Sequence, residues 1–375
     1  MTLFLFVKQF VDMLYKFRVL DYIMVIWALL LLLYQVALVR PNIKKVFTLS
    51  DGIILLLAGA LTISFFRSGN GYQIYFKVLS AFLIYFVGRV YYDRIKESTG
   101  ALVSSAYIII FINLLVRIRH FGFGLTKVTD AGGDLYYYDT DMAFAMILAM
   151  VFIVMFGKNC ILKIVSIFLF CPYMVFCSDA GIQAVLMLAI YVILAIYLME
   201  RIVGKVTVFN NTLIYVMIAF LLIVLVIYLP IIGINLGNVV PRLFKGKFLN
   251  QGNMHVRYSE WKEVLISIKE QGMCAILFGS GMGAEIKVQS LYIKIYYSLG
   301  CIGLALTILL IINIMYYVSK IKDRKTFYLA LIMAVLLLGT GVTVNSMETT
   351  QMSWFPLLFA GMVVSSVQED KLIES

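Results

Sequence analysis

Long apolar runs recur along the whole chain, and they limit its possible folds more than any other feature of the sequence. A helix needs about 20 predominantly apolar residues to cross the hydrocarbon core of a bilayer. Because lipid offers no hydrogen bonds to an open backbone, we predict an all-α, polytopic membrane protein in which residues 1–375 form one integral membrane domain. About eleven spans are expected, near 21–39, 52–66, 72–92, 101–116, 141–157, 160–177, 181–199, 211–230, 289–317, 327–345 and 351–367. The run at 52–66 is short, and we expect its helix to extend into both flanks.

The composition supports this class and excludes others. Hydrophobic residues make up 63% of the chain and charged residues 14%, whereas soluble domains contain about 45–50% and about 25%. The net charge of +11 is explained by cations in the loops between spans. No block of like charge resembles a nucleic-acid-binding arm, so no nucleic-acid partner is expected.

The cysteines do not indicate a disulfide framework or a metal centre. Their number is odd, and they form no CxxC pair and have no histidine nearby. We interpret them as small hydrophobic residues and expect neither a metal nor a cofactor. They are Cys160, Cys171, Cys177, Cys274 and Cys301.

The first 20 residues are open to two interpretations. Lys8, Asp12, Lys16 and Arg18 interrupt an otherwise apolar stretch, which is typical of an amphipathic helix lying at the membrane interface. The same stretch could also be a twelfth span. It lacks a small-residue cleavage site, so we do not interpret it as a removed signal peptide.

The loops between spans alternate in positive charge, and this predicts the orientation of the chain. Cation-rich loops follow the spans near residues 39, 92, 157, 199 and 317, whereas the loops CSDAG and NSMETTQ carry no cation. The cation-rich loops and the C-terminus are therefore expected in the cytoplasm. Two longer loops, 117–140 and 231–288, are expected on the external side.

The large external loop 231–288 contains a second helical pattern. Trp261, Val264, Leu265 and Ile268 follow the spacing of one apolar helix face. With Asn253 as an N-cap, an amphipathic helix is predicted over about 254–270. Arg257 precedes Trp261 by one turn on the same stripe. Its guanidinium could bind phosphate through two hydrogen bonds, or it could extend toward lipid headgroups.

Two further features lie near the start of the span that follows this loop. GSGMG at 279–283 lacks the lysine and hydroxyl residue of a phosphate-binding loop, so we predict a tight turn that returns the chain to the membrane. Lys294 is expected about 7–8 Å inside the next span at 1.5 Å per residue. It could extend outward to the interface, or it could serve a function within the membrane.

These residues resemble the O-antigen polymerase and O-antigen ligase superfamily. The similarity consists of Arg257, Trp261, the FGSGMG segment 278–283, Tyr292, and the Gly300 and Gly303 pair. Ligases of that superfamily typically have a His-Asn pair where this chain has Gln289 and Ser290. The Ser-Arg pattern of a middle helix is also absent, since the corresponding loop offers Ser178 and Asp179. The missing histidine favours the polymerase branch.

The resemblance implies a glycosyltransferase of the bacterial inner membrane. It would transfer a growing glycan from undecaprenyl pyrophosphate to a new lipid-linked repeat at the outer face, in the synthesis of O-antigen, capsule or exopolysaccharide. A chain-length-regulating co-polymerase is an implied partner. Two alternatives are an O-antigen ligase and a transporter or flippase of lipid-linked oligosaccharide. A transporter is expected to have repeats and broken helices, and we see no paired interrupted spans in the sequence.

The candidate site consists of polar residues on the external half of the chain. Cations are expected to stabilise the charge of a pyrophosphate leaving group, and a carboxylate or histidine to accept the proton of the acceptor hydroxyl. His120 and Asp141 are further candidates for this base. The predicted catalytic residues are Arg257, Asp179 and Glu348. The predicted substrate-binding residues are Lys77, Arg117, Arg119, Tyr292, Lys294 and His255.

Overall fold

The computed structural model describes residues 1–14, 18–39, 47–68, 71–121, 139–158, 160–178, 181–203, 251–282 and 288–374. Within these ranges the regular secondary structure is helical. Eight of the described helices are long and apolar enough to cross a membrane, and two shorter apolar helices accompany them. The predicted all-α, polytopic membrane architecture is confirmed.

The described helices are numbered in chain order. The N-terminal half contains α1 (Thr2–Met13), α2 (Arg18–Val39), α3 (Leu49–Ser68), α4 (Tyr72–Val90), α5 (Tyr92–Glu97), α6 (Thr99–Phe121) and α7 (Asp139–Phe156). Next come α8 (Ile161–Val165), a π-helical turn (Ser166–Phe170), α9 (Cys171–Cys177) and α10 (Gly181–Val203). The last part contains α11 (Gln251–Glu270), α12 (Met273–Phe278), α13 (Leu291–Ser319), α14 (Arg324–Gly341), a 3₁₀ turn (Ser346–Glu348) and α15 (Thr350–Glu374).

The helix bounds agree with most of the predicted spans and correct a few. The run at 52–66 extends into both flanks, as expected, and becomes α3. The span predicted at 327–345 ends earlier, at Gly341. Helix α6 continues to Phe121 and α7 begins at Asp139, so both ends of the predicted loop 117–140 are helical. The span predicted at 211–230 lies outside the described residues, and the total of eleven therefore stays a prediction.

Three helices form the centre of the bundle. Helices α15 and α7 are buried along nearly their whole length, and α14 is the next most buried. Outer helices such as α2 and α3 instead expose large apolar side chains, including Leu30, Ile63 and Phe66. Such an apolar exterior is costly in water and is favourable in lipid.

Helices α4 and α15 pack with their backbones in close approach. A Cβ atom on Gly88 would lie 2.0 Å from the carbonyl oxygen of Leu358, and one on Gly361 would lie 2.1 Å from that of Tyr85. Only glycine fits at either position. Small residues that allow backbones to approach are the usual basis of helix association in membranes.

A buried ion-pair network joins α3, α4 and α15. The Arg89 guanidinium donates to both carboxylate oxygens of Asp51, at 3.1 and 3.0 Å, and also to Ser365 and Gln368. The hydroxyl of Tyr85 donates to the same carboxylate at 2.9 Å. Because nearly every polar atom of the network has a partner, the cost of burying its charges is offset. The end of the bundle that holds this network also carries Lys96, Lys163 and Lys325, and we call it the basic end.

Helix α1 is inserted into the bundle and does not lie on its surface. Its first residue, Thr2, shares a hydrogen bond with Ser98 near the basic end, and the Asp12 carbonyl oxygen accepts one from Gln351 near the opposite end. Twelve residues extend only about 18 Å, so α1 is too short to cross a bilayer alone. Helix α1 is therefore neither a helix lying at the membrane interface nor a full twelfth span. Lys8 is 2% exposed, which a surface helix would not allow.

Candidate functional site

Helix α13 is broken where the glycine-rich segment contacts it. Gly300 has φ +67° and ψ −164°, which interrupts the helix about nine residues after its start. The segment 279–282 lies against this break, and the Ser280 N–H donates to the Tyr297 carbonyl oxygen at 2.7 Å. The first four residues of GSGMG therefore do more than form the predicted turn, because they pack against the break in α13.

The close approach at the break requires glycine on both sides. A Cβ on Gly300 would lie 2.3 Å from the Leu277 carbonyl oxygen, and one on Gly279 would lie 2.4 Å from backbone atoms of Ser298. Both residues also have positive φ, a conformation that other residues rarely adopt. The sequence FGSG thus encodes the contact between the end of α12 and the break in α13.

Helix α3 satisfies carbonyl groups at the break. The Arg67 guanidinium donates to the Gly279 carbonyl oxygen at 3.1 Å, and the Ser64 hydroxyl donates to the Ser298 carbonyl oxygen at 2.8 Å. Irregular backbone at membrane depth is stable only where such partners or a cavity replace the missing helical hydrogen bonds. Arg67 and Ser64 therefore hold the glycine segment in place.

The amphipathic helix predicted in the large external loop is present as α11. Trp261, Val264 and Ile268 are buried and pack with Tyr297 and Val342 of α13 and the end of α14. Leu265, predicted on the same face, is 45% exposed, so the buried stripe is narrower than expected.

The start of α11 also differs from the prediction. Asn253 lies inside this helix, which is already formed at Gln251. Asn253 is therefore not the N-cap.

A deep crevice lies beside the broken helix. Its cavity volume is about 110 Å³, and its walls come from α3, α4, α13, α14 and α15. Polar side chains are confined to a few positions, chiefly Lys294, Ser298, Asn345 and Glu348, and the remaining lining is almost entirely apolar. A second groove shares part of this lining and continues along α13 to Val318 near the basic end. The crevice therefore combines a charged mouth with a long apolar interior.

The mouth of the crevice brings together three of the predicted site residues. Lys294 lies in the first turn of α13 and is only 8% exposed, so it does not extend outward to the interface. Glu348, in the 3₁₀ turn before α15, lies within electrostatic reach of both Lys294 and Lys77. Lys77 itself is exposed on α4. Lys294 lies three residues after the helix start at Leu291, about 4.5 Å along α13 at 1.5 Å per residue, and its depth in a bilayer stays a prediction.

Two opposing effects determine the ionisation of Glu348. Burial raises the pKa of its carboxyl group, while Lys294, Lys77 and a hydrogen bond with Asn345 lower it; burial is the largest of these effects. The pKa of Glu348 is therefore raised above its ordinary value. A carboxylate whose pKa is raised in this way is a stronger base than an ordinary surface glutamate.

The charged residues continue from the mouth into the bundle. Asp141, at the start of α7, is buried and lies within electrostatic reach of Lys77 and Asp12. Asp12 forms a buried ion pair with Lys8. The Lys8 ammonium also lies 4.4 Å from the centre of the Trp354 ring. A series of charged side chains, in which Asp141 and Asp12 are neighbouring carboxylates, thus connects the crevice to the N-terminal helix.

The remaining predicted site residues are not gathered at the mouth. Arg117 is buried near the end of α6, over the Tyr173 ring at 5.1 Å, whereas Arg119 is exposed. The Tyr292 hydroxyl donates to the Leu338 carbonyl oxygen at 2.9 Å, which binds α13 to α14.

The other predictions fall wholly or partly outside the described residues. Arg257 and His255 belong to α11 and His120 to α6, but their side chains lie outside the described part of the structure. Asp179 lies outside it entirely. The side chain of Ser178, beside it, donates to the Val175 carbonyl oxygen and so caps α9.

Sequence reasoning missed several residues that the site depends on. Ser64 and Arg67 hold the glycine segment, and no local pattern identifies them, since their partners are more than 200 positions away. The ion pair of Lys8 and Asp12 could have been predicted, because opposite charges four residues apart are neighbours on a helix.

The geometry allows a specific chemistry. Two ammonium groups at the mouth can stabilise an anion, and the carboxylate of Glu348 between them can accept a proton. The apolar interior can hold a long hydrocarbon chain attached to that anion. A comparison with protein-family models finds no match to this chain, and searches among curated proteins and solved structures find no similar protein.

Proposed function

We propose that this chain is a polysaccharide polymerase, a glycosyltransferase that uses a polyprenyl-pyrophosphate-linked donor. It would transfer the growing glycan from its lipid carrier to a new lipid-linked repeat at the outer face of a bacterial inner membrane. The basic end and the C-terminus would then face the cytoplasm. One observation carries the proposal: the crevice joins a cationic mouth to a long apolar interior, as an anionic headgroup on a polyprenyl tail requires.

The length of the crevice along α13 suits such a carrier. From Lys294 to Val318 the wall of α13 rises about 36 Å at 1.5 Å per residue, which is comparable to the thickness of a bilayer core. The diphosphate would lie at Lys294 and Lys77, and the polyprenyl chain would lie between α13 and the α14–α15 pair. The sugars would then project toward α11 and the external loops.

The reaction can be written with these groups in defined roles. The bond between the anomeric carbon of the donor and the phosphate oxygen breaks, and the pyrophosphate leaves with its negative charge. The acceptor hydroxyl oxygen bonds to the anomeric carbon, and its proton passes to the Glu348 carboxylate. Lys294, Lys77 and Arg257 would stabilise the leaving group, so the step requires neither a nucleotide sugar nor a metal ion.

A transporter of lipid-linked oligosaccharide is the second candidate, and one observation favours it. Transporters place substrate sites at broken helices near the bilayer midplane, and α13 is interrupted at Gly300, about 13 Å below its start. The sequence prediction concerned paired interrupted spans, so the single break in α13 does not contradict it. An O-antigen ligase would share the donor and differ in its acceptor.

The first test blocks the crevice in the purified protein. Ile311 lines the crevice, whereas the neighbouring Ile312 is 60% exposed on the outer surface of α13. In proteoliposomes supplied with undecaprenyl-pyrophosphate-linked repeats, Ile311→Trp should reduce polymer formation at least tenfold, and Ile312→Trp should not. Equal polymer formation by both variants would contradict the assignment of the tail site.

The second test addresses the cation on α11. Arg257→Ala should abolish chain extension at normal protein level, and Arg257→Lys should restore it poorly, because a point charge lacks the planar fork of arginine. Lys262→Ala is the matched control, since Lys262 is exposed on the same helix. Wild-type polymer length in the Arg257→Ala variant would refute the role of that residue.

Deleting the gene in its host distinguishes the candidate functions. Loss of a polymerase leaves glycolipid carrying a single repeat at the cell surface. Loss of a ligase leaves long polymer on the carrier lipid, and loss of a transporter traps single repeats inside. Only the first result agrees with the proposal.

A further inference from the structure

A second cavity lies at the basic end, remote from the crevice. Its cavity volume is about 330 Å³, and its walls come from α5, α6, α7, α14 and α15. This volume lies at the lower end of the range of about 300–1,000 Å³ that is typical of small-ligand sites. The proposed function makes no use of this cavity.

Two lysines line this cavity. The Lys96 ammonium lies 4.2 Å from the centre of the Tyr92 ring, and the Lys325 ammonium lies 4.4 Å from that of Phe156. The cavity is also lined by one carboxylate, that of Asp323. Its two oxygens accept hydrogen bonds from the Lys325 N–H and from the N–H and hydroxyl of Thr326, so it serves to cap α14. The described lining of the cavity therefore has more positive than negative charge.

The backbone adds to this positive potential. Helices α6 and α14 both begin beside the cavity, at Thr99 and Arg324. The first turn of a helix carries a partial positive charge from its aligned peptide dipoles. Asp323 already caps the start of α14, so the two lysines and the start of α6 supply the positive potential of this cavity.

The rest of the wall is apolar. Leu102, Leu329, Phe359 and Met362 line it below the lysines. A free inorganic anion would make no favourable contact with these side chains, whereas an acyl chain would gain van der Waals contacts with them. Basic pockets between membrane helices that open toward an anionic leaflet bind phospholipid headgroups.

We infer that this cavity binds an anionic phospholipid, with its phosphodiester at Lys96 and Lys325 and an acyl chain against the apolar wall. The lipid would join α5, α6 and α14, because its headgroup would bridge a lysine of α5 and a lysine of α14 across the start of α6. The inference is independent of the reaction proposed at the opposite end.

The test compares two charge-neutralised double variants of the full chain. Lys96→Gln with Lys325→Gln removes both cavity cations. Lys158→Gln with Lys320→Gln removes two cations from the same end that do not line the cavity. Each protein is reconstituted in nanodiscs of phosphatidylcholine, with or without phosphatidylglycerol, and its thermal midpoint is measured. Co-purified phosphatidylglycerol is quantified by mass spectrometry.

We expect phosphatidylglycerol to raise the midpoint of the wild type and of the control. The cavity variant should lose at least half of that increase and retain at least threefold less phosphatidylglycerol. Thr99→Phe, which fills the cavity mouth without changing its charge, should give the same loss, and this covers the case in which the double variant does not fold. Equal increases in all the variants would overturn the inference. An increase by inorganic phosphate alone, equal to that by the lipid, would overturn the assignment to a phospholipid.

Discussion

Replacement of single glycines by alanine tests the packing at the break in α13. Gly300 and Gly272 have nearly the same backbone conformation, with φ +67° and ψ −164° at Gly300 and φ +89° and ψ −174° at Gly272. This region is almost restricted to glycine, and another residue there costs about 1–3 kcal/mol. The two positions differ in space, because a Cβ on Gly272 would meet nothing within 4 Å.

The difference between the two variants isolates the cost of the contact itself. A Cβ on Gly300 would lie 2.3 Å from the Leu277 carbonyl oxygen and 2.6 Å from the Gly279 nitrogen, so the backbone of α12 must move. Overpacking of this kind costs about 1–3 kcal/mol. Gly272→Ala should therefore destabilise the protein by about 1–3 kcal/mol and Gly300→Ala by about 2–6 kcal/mol.

Gly59 supplies the control for alanine substitution in a membrane helix. It lies inside α3 with ordinary helical geometry, and a Cβ at this position would meet nothing within 4 Å. Gly59→Ala should be neutral or stabilising by up to about 1 kcal/mol. Unfolding of each variant is followed in detergent micelles by circular dichroism during a denaturant titration. If Gly300→Ala costs no more than Gly272→Ala, the contact between α12 and the break is wrong.

Three further sets of variants test the packing of α11, the ion-pair network and the mouth of the crevice. Trp261→Ala should cost about 3–5 kcal/mol and expose α11 to trypsin, whereas Leu265→Ala should leave both unfolding and cleavage nearly unchanged. Asp51→Ala and Arg89→Ala should each cost about 3–5 kcal/mol, and the double variant should cost clearly less than their sum; additive costs would contradict the pairing. Because burial raises the pKa of Glu348, the native state binds its proton more readily than the unfolded state, and stability should fall as pH rises from the ordinary glutamate range through the native pKa. Glu348→Gln should remove this part of the pH dependence of unfolding, and an unchanged pH profile would show that Glu348 is not buried as described.

The helices were predictable because the physical constraint on them is local. A chain in lipid must satisfy its backbone hydrogen bonds within each crossing, so a long apolar run is sufficient to identify a span. The extension of 52–66 into α3 follows from the same rule. The apolar face of α11 was readable from its helical period, although Leu265 lies just beyond the buried stripe.

The break and the crevice were not predictable because they depend on distant contacts. Nothing near Gly300 distinguishes it from glycines that simply pack membrane helices, and its conformation is explained by Leu277 and Gly279 of another element. Lys294 and Glu348 could be named singly as candidates. Their convergence depends on how α13 packs against α14 and α15, which the sequence does not specify locally.

The interruption at Gly300 divides α13 into two helical rods. The upper rod, 291–299, packs against α11 and α12 and is bonded to α3 through Ser298, while the lower rod is bonded to α3 through Asn313. The crevice borders both rods. Under the proposed function, the headgroup would lie against the upper rod and the lipid tail against the lower rod, so that one interrupted helix would supply both walls.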